Sequence, residues 1–392
     1  MPDGRDPRNA EARTVQVFSS INDVAADAWD ACAGRDDPFL SHAFLGALED
    51  SGSVTPQTGW MPRHLAVTGD DNDTILGCAP LYLKSHSYGE FVFDWGWADA
   101  YERAGGRYYP KLQAAIPFTP VTGRRLLLRP DASPAIAELL TGAMIQLAEK
   151  LKVSSVHVTF PTKSEWEHLG RLGMLTRTGS QYHWENAGYR CFDDFLAQLS
   201  SRKRKAIRKE RAAVANQGVV LRTITGSDIR ERHWDAFYGF YRNTSERKWG
   251  NAYLKQAFFH KLGEVMADRV VLVMAEDGQG KLVGGALNLV GDDTLFGRYW
   301  GCQEQYRFLH FEACYYRAMD FAIAHGLKRV EAGAQGEHKI QRGYLPTTTY
   351  SAHWIADPRF REAVERFLAE ERAAVDHQIQ MLSAESPFRK TD

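Results

Sequence analysis

The stretch LVGGALNLVGDDTLFGRYWG, Leu282 to Gly301, decides how this chain is read. Leu282-Val283-Gly284-Gly285-Ala286-Leu287-Asn288 is a short apolar run of strand length. A polar turn follows, and the chain returns as an aromatic strand, Phe296–Gly301. Strand residues alternate between faces, which predicts Arg298 and Trp300 on one side and Tyr299 on the other. An arginine on a central strand is expected to need an anionic partner. Core packing is the ordinary fate of a residue such as Trp300.

Outward from this stretch the order of elements repeats. Ile75-Leu76-Gly77-Cys78-Ala79-Pro80-Leu81 resembles Leu282–Asn288, and the first copy is expected to continue into its own aromatic strand at Phe91–Gly96. Helix-period spacing follows in both copies, at Ala135–Leu151 and Phe311–His325, then a strand at Ser155–Phe160 and at Arg329–Ala332. Ile75–Lys84 reads as one strand, with Gly69–Asp73 as the turn before it. Gly96–Arg125 reads as a long functional loop with a short helix. The loops differ in length between copies, so the pattern is a domain duplication and not a short-period solenoid.

A chain of 392 residues exceeds what one hydrophobic core usually organises. The expected division is a disordered lead over 1–13, a first domain over 14–190, a basic helical connector over 191–217, a second domain over 218–382 and a flexible tail over 383–392. The formal net charge of −1 restricts any nucleic-acid contact to a local patch. Five cysteines, odd in number and without a C-x-x-C pair, argue against a disulfide framework and against a zinc site. With a polar N-terminus and no apolar run of spanning length, the expected compartment is the cytoplasm.

Several longer motifs complete the pattern: Gly297-Arg298-Tyr299-Trp300-Gly301, Leu309-His310-Phe311-Glu312-Ala313-Cys314-Tyr315-Tyr316 and Gly333-Ala334-Gln335-Gly336-Glu337-His338-Lys339. Arg342-Gly343-Tyr344 and Ser351-Ala352-His353-Trp354 belong with them. The strand–turn–strand, aromatic strand, helix and strand resemble the core of GNAT acyltransferases. Two copies joined by a basic segment resemble the FemAB-like predicted N-acyltransferases, from about Asp37 to Pro358. The resemblance implies an α/β (α+β) fold of two tandem GNAT-like acyltransferase domains with mixed central sheets. It implies transfer of an acyl or aminoacyl group to an amine. By analogy with better-known FemAB relatives, the donor is aminoacyl-tRNA and the acceptor a peptidoglycan-precursor-like or small amine.

The residue types carry a chemistry of their own. Transfer to an amine needs a proton acceptor, donors for the developing oxyanion, and positive charge near an anionic group. Glu337, His338, Lys339 and Arg342 lie within six residues, after two glycines that bracket Ala334 and Gln335. Glu337 and His338 are alternative bases, and Lys339 and Arg342 supply cations. His310 and Glu312 open the long helix, where Glu312 is a third candidate base, although a glutamate in a first turn also simply suits the helix dipole. Arg298, Tyr299, Trp300, His310, Gln335 and Arg342 are the expected substrate contacts, with the backbone of Tyr299–Gly301 as oxyanion donors.

The basic run Arg202–Arg211 holds seven cations in ten residues. Four of them in a first helical turn oppose the dipole, a cost that a phosphate backbone offsets. Lys203, Arg204 and Arg208 are the expected phosphate contacts on tRNA; a solvated helix face is the plainer reading. No cofactor or metal is expected. CoA-dependent GNAT enzymes carry a glycine-rich turn for the pyrophosphate, whereas Gln303–His310 has no glycine, so acyl-CoA is the alternative donor. A non-catalytic RNA-binding or cell-wall recognition protein is the competing class.

Overall fold

A computed structural model describes residues 13–69, 74–249, 251–304, 306–333 and 336–389. The expected N-terminal lead, the turn at 70–73 and Gln335 lie outside the described residues, the lead except for Arg13. Among the described residues fifteen strands run in chain order: β1 Val15–Phe18, β2 Trp60–Pro62, β3 His64–Thr68, β4 Ile75–Ala79, β5 Leu81–Lys84, β6 Lys111–Ala114, β7 Leu127–Leu128 and β8 Ser155–Thr159. β9 Leu175–Glu185, β10 Val220–Thr225, β11 Val270–Glu276, β12 Leu282–Val290, β13 Thr294–Cys302, β14 Arg329–Glu331 and β15 Leu345–Ile355 complete them.

The two copies share a single large sheet. Its order is β10-β11-β12-β13-β14-β9-β15-β8-β6-β5-β2, beside a small sheet β1-β3-β4-β7. In each copy the third long strand lies parallel to the strand after the long helix, β13 with β14 and β6 with β8. At the centre the copies exchange their last strands. β9 from the first half pairs with β14 of the second, β15 from the second pairs with β8 of the first, and β9 and β15 pair with each other over nine residues. The expected domains at 14–190 and 218–382 are therefore not separable at 190, because β9 sits inside the second half's sheet.

The long helices pack on these sheets. Ile136, Leu140, Met144 and Ala148 of Ala135–Leu151 lie against Val67 of the small sheet and Val156 and Val158 of the large one. Ala318, Met319 and Ala322 do the same on Leu295 and Val330. Period 3.6 on the helix and period 2 on the strand meet on the same apolar stripe.

Three expectations are corrected. Ile75–Lys84 is two strands in two sheets, because Pro80 has no N–H to give to a ladder. The expected strand at Phe91–Gly96 is irregular backbone, with Phe91 at φ 59°, leading into a helix at Trp95–Arg103; the first copy's third strand is β6. The tail is docked at least as far as Arg389: Ser200 N–H donates to Pro387, Arg389 N–H donates to Gln198, and Phe388 packs on Phe195. The C-terminal helix itself spans Pro358–Ala384.

Candidate active site

β13 and β14 pair only over Thr294–Phe296 and Arg329–Glu331. Beyond these residues they diverge, and Tyr182 N–H donates to Gly333 while Ala332 N–H donates to Tyr182. The wedge holds a cavity of about 420 Å³. From Gly297 onward β13 keeps β12 on one side only, so alternate backbone groups face the opening.

A bulge shapes this strand. Leu287 pairs with Tyr299 but Asn288 pairs with Gly297, which leaves Arg298 as the extra residue. Alternation breaks there, contrary to the expected faces. Arg298 Nη2 and Tyr299 Oη both donate to the carbonyl of Phe118, each at 2.9 Å. That carbonyl belongs to the loop after β6, so the first half anchors two side chains of the second half's cavity. Arg298 has no carboxylate within ion-pairing distance among the described residues, and its Nε is buried without a partner. The expected anionic partner is a backbone oxygen instead. Gly301 allows the last part of the strand to lie against the helix Glu231–Trp249, since a Cβ there would stand 2.2 Å from the Phe240 carbonyl.

The opposite wall comes from the helical segment after β13 and the turn after β14. Leu309–Phe311 and Arg317–Ala324 are α-helical, and Glu312–Tyr316 between them widens into a π-turn, a feature that often marks functional positions. Trp300 and His310 line the cavity with rings 5.4 Å apart. Cys314, Tyr315, His338 and Lys339 line it as well. Tyr315 Oη and His338 Nε2 are 3.0 Å apart, and the His310 and His338 rings are 6.1 Å apart. Burial pushes the Tyr315 phenol up, so it stays protonated, and its oxygen can accept from His338 Nε2–H, the tautomer in which Nδ1 carries the basic lone pair. Gly336, at φ 106°, is required here because a Cβ would lie 2.5 Å from the His338 ring.

The remaining expected residues divide. Glu337 is exposed, outside the cavity lining. Glu312 is buried away from it, paired with Arg211 at 3.0 Å and Arg317 at 3.2 Å. Arg342 stacks 3.5 Å over Phe311, pairs with Glu210 at 2.8 Å and donates to the His338 carbonyl at 2.7 Å. It holds the turn and is spent on protein groups. Lys339 donates to Ala332 and Gly333 at 2.5 and 3.1 Å, and burial lowers it to about 8. The charges that looked free in sequence are largely consumed by folding.

The basic run forms the helix Ser201–Ala215 without a side-chain cap. Ile207 and Val214 are its buried stripe. Lys203 and Arg204 are half-buried, and Arg208 pairs with Asp193 at 2.8 Å. The outward face is instead Arg202, Lys205 and Lys209, all exposed and without a carboxylate within ion-pairing distance among the described residues. Sequence reasoning missed Tyr315 as the partner of His338, although Phe311 and Tyr315 stand four apart on a helix. It also missed Phe118, for which the sequence has no signal.

A protein-family model for FemAB-like proteins, described as peptidoglycan biosynthesis/recognition, matches residues 20–390. The chain belongs to the FemAB-like family. No curated protein matches. Among solved structures, FemX is 12% identical, with a TM-score of 0.52, covering 90% of this chain and 100% of its own. L-PGS from Bacillus licheniformis is 10% identical, with a TM-score of 0.50 and coverages of 85% and 98%. The C-terminal domain of a putative lysylphosphatidylglycerol synthetase from Agrobacterium fabrum is 8% identical, with a TM-score of 0.52 and coverages of 88% and 95%. At these identities the likeness establishes the fold, a tandem GNAT-type α/β architecture. No helix among the described residues is long and apolar enough to cross a membrane.

Proposed function

We propose that this FemAB-like protein is an N-acyltransferase whose reaction takes place in the β13/β14 wedge. The observation that carries the reading is the His338–Tyr315 pair on one wall, facing Arg298 and an unpaired stretch of β13 backbone on the other. His338, backed by Tyr315, accepts the proton of the incoming amine, which attacks the donor carbonyl. Backbone N–H groups of Tyr299–Gly301 stabilise the oxyanion, and the alcohol or thiol of the donor leaves. An ester or thioester is already activated, so positioning and a proton path supply most of the acceleration.

Aminoacyl-tRNA is the proposed donor and a peptidoglycan-precursor-like or small amine the acceptor, in the cytoplasm. The face of Arg202, Lys205 and Lys209 supports contact with a phosphate backbone, which positions without reading sequence. The first turn after β13 supports it too: the amides of Leu309, Phe311 and Glu312 already donate to Tyr306 and Phe308 carbonyls, leaving a poor cradle for a pyrophosphate. Label transfer from charged tRNA and from acyl-CoA to a panel of amines tests the proposal. Activity with acyl-CoA alone selects the alternative donor, and RNA binding without any transfer selects a recognition protein. Reversing Arg202, Lys205 and Lys209 to glutamate is expected to weaken tRNA binding across all sequences and to reduce the salt slope by about 3.

A further inference from the structure

The five cysteines meet different fates. Cys32 and Cys78 are sealed in the core, the ordinary place for a thiol. Cys191 is exposed beside Asp194. Cys302 lines a neighbouring cavity that shares Trp300 and His310 with the wedge. Cys314 is half-buried, outside any disulfide, and among the described residues it is the one cysteine on the wall of the wedge itself. We propose that Cys314 is a catalytic nucleophile, which takes the acyl group from the donor as a thioester before the amine receives it. This rests on the wedge being the place of transfer, and adds a covalent step to the reaction there.

The helical segment after β13 aims this thiol. His310 and Cys314 stand four residues apart, about one turn, and both line the wedge. His338 lines it too, with its ring 6.1 Å from that of His310. The attacking species is the thiolate, which neighbouring cations favour. Lys339 lies in the field of this sulfur, where a negative charge favours the ammonium against the burial that lowers it to about 8. No acid lines the wedge among the described residues, and Glu312, two residues before Cys314, is held by Arg211 and Arg317. In the first half-reaction the sulfur bonds the donor carbonyl carbon and the donor's ester or thioester bond breaks. The thiol proton passes through His338 to the leaving oxygen or sulfur. In the second, the amine nitrogen attacks the Cys314 thioester, the carbon–sulfur bond breaks, and the amine proton passes through His338 back to the sulfur. Nothing is oxidised or reduced, and the backbone N–H groups of Tyr299–Gly301 serve both tetrahedral intermediates.

The full chain mixed, without acceptor, with bulk tRNA charged with radiolabelled amino acids, and separately with labelled acetyl-CoA, then quenched in acid and peptide-mapped, tests this. One acyl group is expected on the Cys314 peptide, released by neutral hydroxylamine and discharged by the amine that accepts label in turnover. Cys314→Ala is expected to carry no adduct and to lose roughly 10²-fold or more in kcat with an unchanged melting curve, while Cys191→Ala stays within about two-fold. Cys314→Ser, closer in volume, is the second variant should the alanine chain melt early, and is expected to lose the hydroxylamine-labile adduct as well. Initial rates against both substrates should give the parallel lines of a ping-pong reaction. Transfer to amines without an adduct on Cys314, or full turnover by Cys314→Ala, overturns the nucleophile and leaves the amine reading standing. An adduct on Cys314 that no amine discharges upholds the nucleophile and removes the amine acceptor. Labelling of another cysteine instead, or no adduct from either donor, overturns it outright.

Discussion

At the scale of single residues, folding sorts side chains that sequence leaves equivalent. Glu337 and His338 are adjacent, and both types accept protons. Both side chains are exposed, but the tight turn after Gly336 puts the imidazole on the cavity wall against Tyr315 and leaves the carboxylate outside the lining. His338→Ala is therefore expected to lower kcat by roughly 10²–10⁴-fold with an unchanged melting curve, while Glu337→Gln stays within a few-fold. Steady-state kinetics on the two variants checks it, and equal losses would return the base to an open choice. The cations around this pair were legible as a cluster, but their employment was not. Arg342 and Glu312 find partners far away in sequence, Glu210 and Arg211, and only the packed helix Ser201–Ala215 brings those in. Glu331 offers a second test. Its carboxyl is raised from 4.5 to about 8, so folding favours its protonated form. That contribution is whole below pH 4.5 and is lost as pH rises toward and through 8. Thermal melts should show Glu331→Gln gaining stability over wild type above pH 8, with little difference near pH 5.

At the scale of elements, the strands and helices with clean periodicity were readable and the interruptions were not. The hairpin Leu282–Gly301 and the helix Ala135–Leu151 formed as expected because one apolar stripe satisfies both local spacing and the core. Phe91–Gly96 failed because aromatic content alone does not make a strand. Asp94 there is held inside by fully buried Lys111, a long-range ion pair that outweighs local preference. The tail follows the same logic: its residues look ordinary, yet Phe388 lies near Gly343, where a Cβ would be 3.5 Å from its ring. Gly343 closes the turn that carries His338 and Arg342. Phe388→Ala is expected to cost roughly 1–3 kcal/mol in denaturant melts, and to raise hydrogen exchange across 337–344.

At the scale of the whole molecule, duplication was legible from the order of elements, but the exchange of strands was not. Nothing in the sequence says that β9 leaves its own half, since β9 and β15 are both extended, mixed-polarity strands that fit either neighbour. The consequence is cooperativity. Because β9 and β15 pair with each other and each completes the other's half, calorimetry should give one unfolding transition. Chains cut after residue 190 should not yield two independently folded pieces. Two separated transitions would mean that the shared strands contribute little.

The anchor of Arg298 and Tyr299 is a main-chain oxygen. Replacing residue 118 leaves that oxygen in the chain, so the contact depends first on the path of the loop after β6, which the buried Phe118 ring helps to hold. The contact therefore constrains the shape of the first half more tightly than its spelling.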